Sequence, residues 1–557
     1  MDNYSIADNF SLLSKLMDIH GDNSFKSKSY AVAAFNIEKL PVQLSEMEAT
    51  KISAIRGLGD AIGKKVMEQL ETNQLSILNE YILKTPPGIL EMLHIKGLGP
   101  KKIATVWKEL EIESLGELLY ACNENRLTLY KGFGEKSQKN IKDSIEFYMG
   151  SLGSYLYQQI EPYAALMDAV LKKTFPDEKV AITGSFRKQS EIIEKLEWIA
   201  TIDYESLYSF FTSQEYEPVE ETEYYLSFKG KENITIGFIL TDNSNFYKEL
   251  FLSSCSHAFA ETWNQQFSFK IKNYTSEEAI FAENNIPFIP AYLREKKNII
   301  SLAKENKLPA TLQTNDIKGI IHSHSKWSDG LHSIEEMAKA AQSKGFEYLV
   351  ISDHSKSAFY ANGLKEDRIL AQQGEIEELN QQLSPFKIFK SIETDILNDG
   401  NLDYPAEILS TFDLVIASIH SNLKMTEEKA MMRLLKAIEN PYTSILGHMT
   451  GRLLLSRNGY PVNHKLVIEA CAANNVVIEL NAHPRRLDID WRWIDYALEK
   501  NVLISIDPDA HTIEGFDDCR FGVLVAQKAG LTKEHNLSSF ALPEFELFVS
   551  QQHQKRK

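Results

Sequence analysis

Apolar and polar positions alternate in two different rhythms along the chain. Ile6, Phe10, Leu13 and Met17 recur on one face of a helix, and residues 1–90 read as helices throughout. From residue 316 onward, short apolar runs alternate with helical segments. The runs are 317–321, 348–351, 388–392, 414–419, 444–446, 476–480 and 502–506; the helical stretches are 333–343, 365–383, 426–439, 462–473 and 491–499. This order predicts a parallel α/β domain, and seven runs with outer helices predict barrel-like closure. In such folds the chemistry sits at the C-terminal ends of the strands. Between these regions lies a third character: a strand from Val180 that ends in Gly184–Ser185, then β-rich segments at 224–228 and 234–240.

Length and composition narrow this only slightly. The 557 residues, 43% of them apolar and 25% charged, suit a soluble protein of several domains. Residues 1–10 carry Asp2 and Asp8 and no apolar core of a signal peptide. No run is long enough to span a membrane. Cys122, Cys255, Cys471 and Cys519 are scattered, which predicts reduced thiols and a cytoplasmic setting. The net charge of −17 means that any nucleic-acid contact rests on local basic patches.

Such patches occur in an internal repeat. Gly57–Leu58–Gly59, Gly97–Leu98–Gly99 and Gly132–Phe133–Gly134 each precede a lysine-bearing helix, with Lys101 and Lys102 in the second copy. The glycines permit a tight turn and a close backbone approach. The helix start offers unpaired N–H groups to a phosphate. The pattern resembles the helix-hairpin-helix motif, which grips the DNA backbone without reading sequence. The plainer reading is that Gly-x-Gly merely punctuates helix pairs.

The apolar runs of the C-terminal half end in metal-type donors. They are His322 and His324 with Asp329 on the following loop; Asp353–His354; Glu393 and Asp395; His420; His448; His483; and Asp509 with His511. On a regular strand, residues i and i+2 face one way, so His322 and His324 are expected to converge. Any one of these could be a satisfied core residue. Together, buried imidazoles and carboxylates make sense as a multinuclear site. Asp353 and Asp395 are read as groups that orient the ligands. For His332 and His483, surface placement and substrate contact both remain open. Arg452, Arg485 and Arg486 follow ligand-bearing strand ends and offer guanidinium forks for a phosphate.

The order of these parts resembles bacterial family X DNA polymerases with a C-terminal polymerase and histidinol phosphatase (PHP) domain. The residues that carry the resemblance are 22–30 with Ala33–Ala34, the three hairpins, Gly184–Ser185–Phe186–Arg187, and the His-x-His to Asp-Ala-His series. The resemblance implies a multidomain chain: a helical domain at 1–90, a second hairpin domain at 91–150, an α+β nucleotidyltransferase-like palm at 151–245, a thumb-like segment and linker at 246–315, and a (β/α)7 barrel-like PHP domain at 316–557. It also implies nine ligands for three divalent ions (manganese, zinc or iron). One site would use His322, His324, Glu393 and Asp509; a second Glu393, His420 and His448; a third Asp329, His354 and His511. Glu393, Asp509 and Arg452 are the expected catalytic groups.

The palm departs from the family. The positions for its three metal-binding carboxylates fall on Lys195, Glu197 and Gly237, and lysine and glycine cannot chelate magnesium. Residues 251–257 resemble the family's nucleotide-contact stretch, without its glycine. The expected activity is therefore phosphodiester hydrolysis at DNA 3′ or gapped ends, as a 3′–5′ exonuclease in repair, with 3′-phosphate removal and cutting at abasic sites as extensions. A monomer is expected, and Lys26 and Lys28 are expected phosphate contacts. The alternatives are a bifunctional polymerase and nuclease, a DNA-end-binding protein with structural metals, and a small-molecule phosphatase.

Overall fold

The computed structural model describes residues 1–557 except Pro41, Arg56, Ser151, Leu152, Lys231, Glu232, Ile271, Lys272 and Lys557. The chain forms two compact units, one of Met1–Asn123 with Leu127–Tyr148, the other of Glu124–Arg126 with Met149–Lys557. The expected boundary at 150–151 touches Ser151, which lies outside the described residues.

The first unit is helical, as the periodicity predicts. Ile6, Phe10, Leu13 and Met17 are all buried on the helix Asn3–His20. In each hairpin the apolar residue between the glycines (Leu58, Leu98, Phe133) is buried, while the glycines face outward. Gly97 has φ +92°, a left-handed backbone that glycine adopts without strain. Gly99 then caps the helix Pro100–Lys108, whose first residue is proline, a position where the missing N–H costs nothing.

Among the described residues, the second unit contains a two-stranded ribbon, Tyr155–Leu156 with Ile192–Ile193, and two larger sheets. Strands β1 (Val180–Thr183), β2 (Lys195–Ala200), β3 (Glu217–Glu221), β4 (Tyr225–Lys229) and β5 (Thr235–Leu240) pair in the order β1-β2-β5-β4-β3. Trp198, Phe211, Phe228 and Phe238 fill the core on one face. The other sheet has seven strands: β6 (Gly319–Ser323), β7 (Tyr348–Ile351), β8 (Lys387–Asp395), β9 (Leu414–Ser418), β10 (Ile445–Leu446), β11 (Val477–Asn481) and β12 (Ile504–Asp507). They are parallel and pair in sequence order. A bridge between Ser323 and Ala510 brings the two edges together, so the barrel is nearly closed.

Six of the seven strands are buried throughout and β8 is buried except at Lys387 and Lys390, which is why the runs read as continuous apolar stretches. The helix Leu542–Lys555 had no counterpart among the predicted segments. It plugs the barrel with Phe545, Phe548 and Val549, packed against Tyr348, Phe389 and Leu414.

The linker expected at the end of residues 246–315 is docked rather than loose. Leu312 is buried in the barrel's outer core, and its N–H donates to the Leu531 carbonyl at 3.0 Å. The palm is joined to the barrel by Glu161 with Arg520, and by Glu191 with Lys528 (3.6 Å) and Arg492 (3.7 Å).

Candidate metal centre

The donors at the strand ends meet in one buried cluster. His322 Nε2 lies 3.4 Å from Glu393 Oε1 and 3.5 Å from Asp509 Oδ1. His324 Nε2 is 3.0 Å from Asp509 Oδ1. His420 Nε2 and His448 Nε2 each sit 3.0 Å from Glu393 Oε1, and His354 Nδ1 is 3.0 Å from Glu393 Oε2. Asp329 is 3.5 Å from His511 Nε2 and 3.6 Å from His354 Nε2. The nine residues expected as ligands therefore lie together, with Glu393 at the centre. Among the described residues, the groups tight enough to hold an ion are His324, Asp329, His354 and His511; His322, His324 and Asp509; and His354, Glu393 and His420, so His354 stands beside Glu393 and His420 where His448 is expected. His324 and His354 each belong to two groups, where the resemblance had assigned each to one. His332 belongs to none of these groups.

The histidine pair converges by a different route from simple strand alternation. The pairing of β6 with β7 shifts register between Ile320 and Ser323, and His322 has φ +59°. Asp509 has φ +52°. Two of the expected ligands thus occupy a backbone region that non-glycine residues rarely adopt, a strain that concentrates at functional sites. The following loop is tied to the opposite edge, with the His324 N–H donating to the Ala510 carbonyl at 2.8 Å.

Around the cluster, other groups fix the rings. Glu479, in the middle of β11, lies with Oε2 2.5 Å from His322 Nδ1, and its Oε1 accepts the His448 N–H at 3.1 Å. Asp395 Oδ1 lies 2.5 Å from His420 Nδ1. The Asp509 carbonyl takes His511 Nδ1 at 3.0 Å. These contacts leave the Nε2 atoms of all three rings facing the cluster. Asp353 belongs to none of the groups that could hold an ion. It accepts from the Ser325 N–H (2.8 Å), Ser325 Oγ (2.7 Å), Ser328 Oγ (2.5 Å) and Gln372 Nε2 (2.5 Å), and so shapes the loop that presents Asp329. Asp353 and Asp395 thus stand where the sequence placed them. Glu479 was missed; its signal was a carboxylate inside an apolar run.

Arg452 was expected to be catalytic, and its contacts place it elsewhere. Nε donates to the Arg486 carbonyl at 2.9 Å, Nη1 pairs with Asp490 at 2.8 Å, and Nη2 holds the Leu487 carbonyl. All three nitrogens are spent on clamping the loop 486–490. That loop begins at Arg486, whose Nε is 3.8 Å from Asp509 Oδ2. His483, two residues past β11, accepts the Arg485 N–H at 3.2 Å.

The electrostatics are those of a site built for cations. Burial opposes protonation of His322, yet Glu479, Asp509 and Glu393 outweigh it and hold its pKa well above the usual value. Against the same burial, Glu393 and Asp395 raise His420 to about 10, and Asp329 raises His511 to about 9. His324 is pushed down to about 3 by burial and by His511 and His354. Burial would raise Glu393, but His420, His322 and His354 hold it well below the carboxylate range.

Among the described residues, His322 Nε2, both ring nitrogens of His354, Asp329 Oδ2, Glu393 Oε2, His420 Nε2 and His511 Nε2 are buried without a hydrogen-bond partner. Orphaned donor atoms of this kind are costly unless something binds them. A mixed imidazole and carboxylate set fits divalent transition metals.

The palm's corresponding positions are also adjacent. Glu197 on β2 pairs with Gly237 on β5. Lys195 Nζ lies 3.5 Å from Glu197 Oε1 and 5.0 Å from the Tyr225 ring centre. A Cβ on Gly237 would overlap the Tyr225 hydroxyl. An ammonium and a phenol thus occupy the space of two carboxylates. Arg187 is bound to Glu277 (2.5 Å) and Ser254 Oγ (2.7 Å), and Glu277 is also held by the fully buried Arg294. In the hairpins, Lys101 is exposed, but Lys102 turns inward, its amine 2.7 Å from Ser137 Oγ and 3.3 Å from the Gly97 carbonyl. Among the described residues, no helix is long and apolar enough to cross a membrane.

A nearly closed parallel barrel with imidazoles and carboxylates at its strand ends defines a PHP-type, metal-dependent phosphoesterase architecture. Residues 321–483 match the PHP domain family, 1–75 a helix-hairpin-helix domain, and 89–146 a SAM-like helix-hairpin-helix tandem. The chain is 31% identical over 561 residues to a Bacillus subtilis (strain 168) protein named DNA polymerase/3′-5′ exonuclease PolX, covering 96% of each chain. It is also 29% identical over 226 residues to a probable phosphatase of Thermoanaerobacter sp. (strain X514), covering 38% of this chain and 86% of that one. A probable phosphatase of Aliivibrio fischeri matches at 25% over 231 residues, 38% of this chain and 86% of that one. The chain belongs to the PolX family of bacterial family X DNA polymerases with a C-terminal PHP domain.

Proposed function

We propose that this protein hydrolyses phosphodiesters at DNA 3′ ends as a metal-dependent 3′–5′ exonuclease, and that its palm has lost nucleotidyl transfer. The observation that carries the first half is the complete ligand cluster around Glu393, with its orphaned donor atoms. His322, His324, Asp329, His354, Glu393, His420, His448, Asp509 and His511 would hold three divalent ions, of manganese, zinc or iron type. Bound there, such ions supply Lewis-acid polarisation of the phosphate and an activated water. The chain's own residues do the rest. Glu479 and Asp395 hold His322 and His420 in the orientation that faces the cluster. Arg452 stiffens the loop from which Arg486 reaches the edge of the cluster, where a guanidinium suits a phosphate oxygen.

The eroded palm supports the second half. Two-metal transfer depends on placed carboxylates, and here one survives beside a lysine and a glycine. The arginine of the Gly-Ser-x-Arg segment is neutralised by Glu277. A second reading, favoured by similarity along the full length to a relative named for both activities, keeps a weak polymerase beside the nuclease.

The hairpins supply the DNA grip. Gly57, Gly59, Gly97, Gly99, Gly132 and Gly134 present backbone N–H groups, and Lys101 adds charge; Lys102 buttresses its turn. We assign gapped and 3′-ended DNA as substrate, a role in repair, a cytoplasmic setting on the strength of four unpaired cysteines, and action as a monomer. The domain limits at 1–90, 91–150, 151–245, 246–315 and 316–557 complete the reading. The test is His322→Ala with His324→Ala in purified protein. Loss of DNA shortening under manganese is expected, and activity that persists in a pure preparation sinks the proposal.

A further inference from the structure

Ser355–Leu364 leaves the barrel directly after the ligand His354 and returns to it. The Leu364 N–H donates to the His354 carbonyl at 2.9 Å, and Ser355 bridges Leu364. The excursion is therefore a closed arm with its base on a metal-type ligand. Its inner side is pinned. The Ala358 and Gly363 N–H groups turn back onto the Ser355 and Ala358 carbonyls (3.0 and 3.1 Å). A Cβ on Gly363 would strike the Ser355 carbonyl. Ser357 Oγ donates to Asp395 at 2.7 Å, and Asp395 is the carboxylate that holds His420. Asn362 Nδ2 reaches the Trp327 and Ser328 carbonyls at 3.3 Å, next to Asp329. The arm is thus wired to three ligand-bearing loops.

Its tip is unusual in two respects. Phe359 is 76% exposed, although it belongs to a rigidly held turn. The Tyr360 hydroxyl beside it is screened from solvent and has no hydrogen-bond partner among the described residues. Burial, then the nearby Asp395 carboxylate, holds that phenol well above its usual pKa, so it remains a donor. A buried donor without an acceptor is expensive in a folded protein, and an exposed aromatic ring gains nothing from water. A nucleotide answers both features. Its base presents a π-face that an aromatic side chain can stack on, and its phosphate presents oxygens that need donors.

We propose that this arm is the nucleotide-recognition element of the metal centre, with Phe359 stacking on the base at the 3′ terminus and the Tyr360 hydroxyl donating to a phosphate oxygen of the same strand. The proposal rests on the exonuclease reading and deepens it. The site would prefer nucleotide diesters over diesters that lack a base.

The experiment uses the full-length, manganese-loaded protein and two small substrates: thymidine 5′-(p-nitrophenyl) phosphate, which carries a base, and bis(p-nitrophenyl) phosphate, which does not. It compares wild type with Phe359→Ala, Tyr360→Phe and, as a remote exposed control, Leu547→Ala. Base stacking predicts a rise of about 5–100-fold in KM for the nucleotide substrate in Phe359→Ala, and a fall in its preference over the base-less diester. Tyr360→Phe is expected to lower kcat/KM for both. A single-stranded oligonucleotide with 2-aminopurine at its 3′ end adds a readout independent of turnover. Its fluorescence is quenched by wild type and not by Phe359→Ala in the His322→Ala, His324→Ala background. Unchanged selectivity and unchanged quenching in the arm variants overturn the proposal, even if wild type shortens DNA. Failure of wild type to shorten a labelled strand, with hydrolysis of phosphate monoesters retained, overturns the exonuclease reading instead.

Discussion

Replacing Glu479 by glutamine tests whether the cluster depends on the carboxylate behind it. Glu479 is fully buried, and its two oxygens face two donors, His322 Nδ1 at 2.5 Å and the His448 N–H at 3.1 Å. Glutamine keeps the volume but turns one oxygen into an NH2 group. If that group faces His322, the ring must move its proton to Nε2, the nitrogen that faces Glu393 and Asp509. If it faces the His448 N–H, two donors oppose each other in a dry interior. Either arrangement weakens ion binding. Groups that orient metal ligands in this way are typically worth about 10–100-fold in affinity, or about 1.4–2.7 kcal/mol. Titration of metal-free protein with manganese or zinc against a competing chelator measures this directly. Activity should recover in part at high metal concentration, because the ligands themselves remain. An affinity within about twofold of wild type would refute the argument that Glu479 fixes the His322 ring, since a tenfold loss is the least expected.

Further outcomes follow from the same contacts. Asp395→Asn leaves a single oxygen for two donors, His420 Nδ1 and Ser357 Oγ, and is expected to weaken metal binding by a comparable factor, about tenfold or more, read in the same titration. His420, held at about 10, and His511, at about 9, are cationic at neutral pH and must lose their protons to ligate. Metal affinity should therefore rise as the pH climbs toward those values, with proton release visible by calorimetry in buffers of different ionisation enthalpy; an affinity flat between about pH 6 and about pH 8 contradicts this. Glu277→Gln leaves Arg187 and the buried Arg294 without their common carboxylate, and about 3–5 kcal/mol of stability should be lost in denaturant unfolding. Gly237→Asp puts a side chain onto the Tyr225 phenol and should cost about 1–3 kcal/mol, relieved when Tyr225→Ala is added.

The barrel was legible because its strands are almost wholly buried and its donors lie at or just beyond their C-terminal ends. Each run ends within about three residues of a strand end, so the cluster could be read from residues such as His420 and His448. The bulge at His322 was not legible. A left-handed backbone in a non-glycine residue leaves no mark in the apolar pattern. Glu479 sits within Val476–Leu480, and its charge alone signalled that a partner must lie beside it. Arg452 shows the opposite limit: a guanidinium after a ligand strand end has the same local sequence whether it meets a phosphate or backbone carbonyls. The closing helix Leu542–Lys555 has an apolar face that meets the barrel floor, a partner set by tertiary contacts far away in sequence. In the palm, the sequence located Lys195, Glu197 and Gly237, but only the packing reveals that the Tyr225 hydroxyl fills the space of the missing carboxylate.

In the proposed function, hydrolysis is kept and synthesis lost. Its most direct measurement follows a 5′-labelled primer strand in gapped DNA with the purified protein and manganese, with and without all four deoxynucleoside triphosphates. Shortening of the strand in both conditions, with no extension, is the expected outcome. Template-directed extension that is lost in a Glu197→Ala variant, or a strand of unchanged length in both conditions, would contradict it.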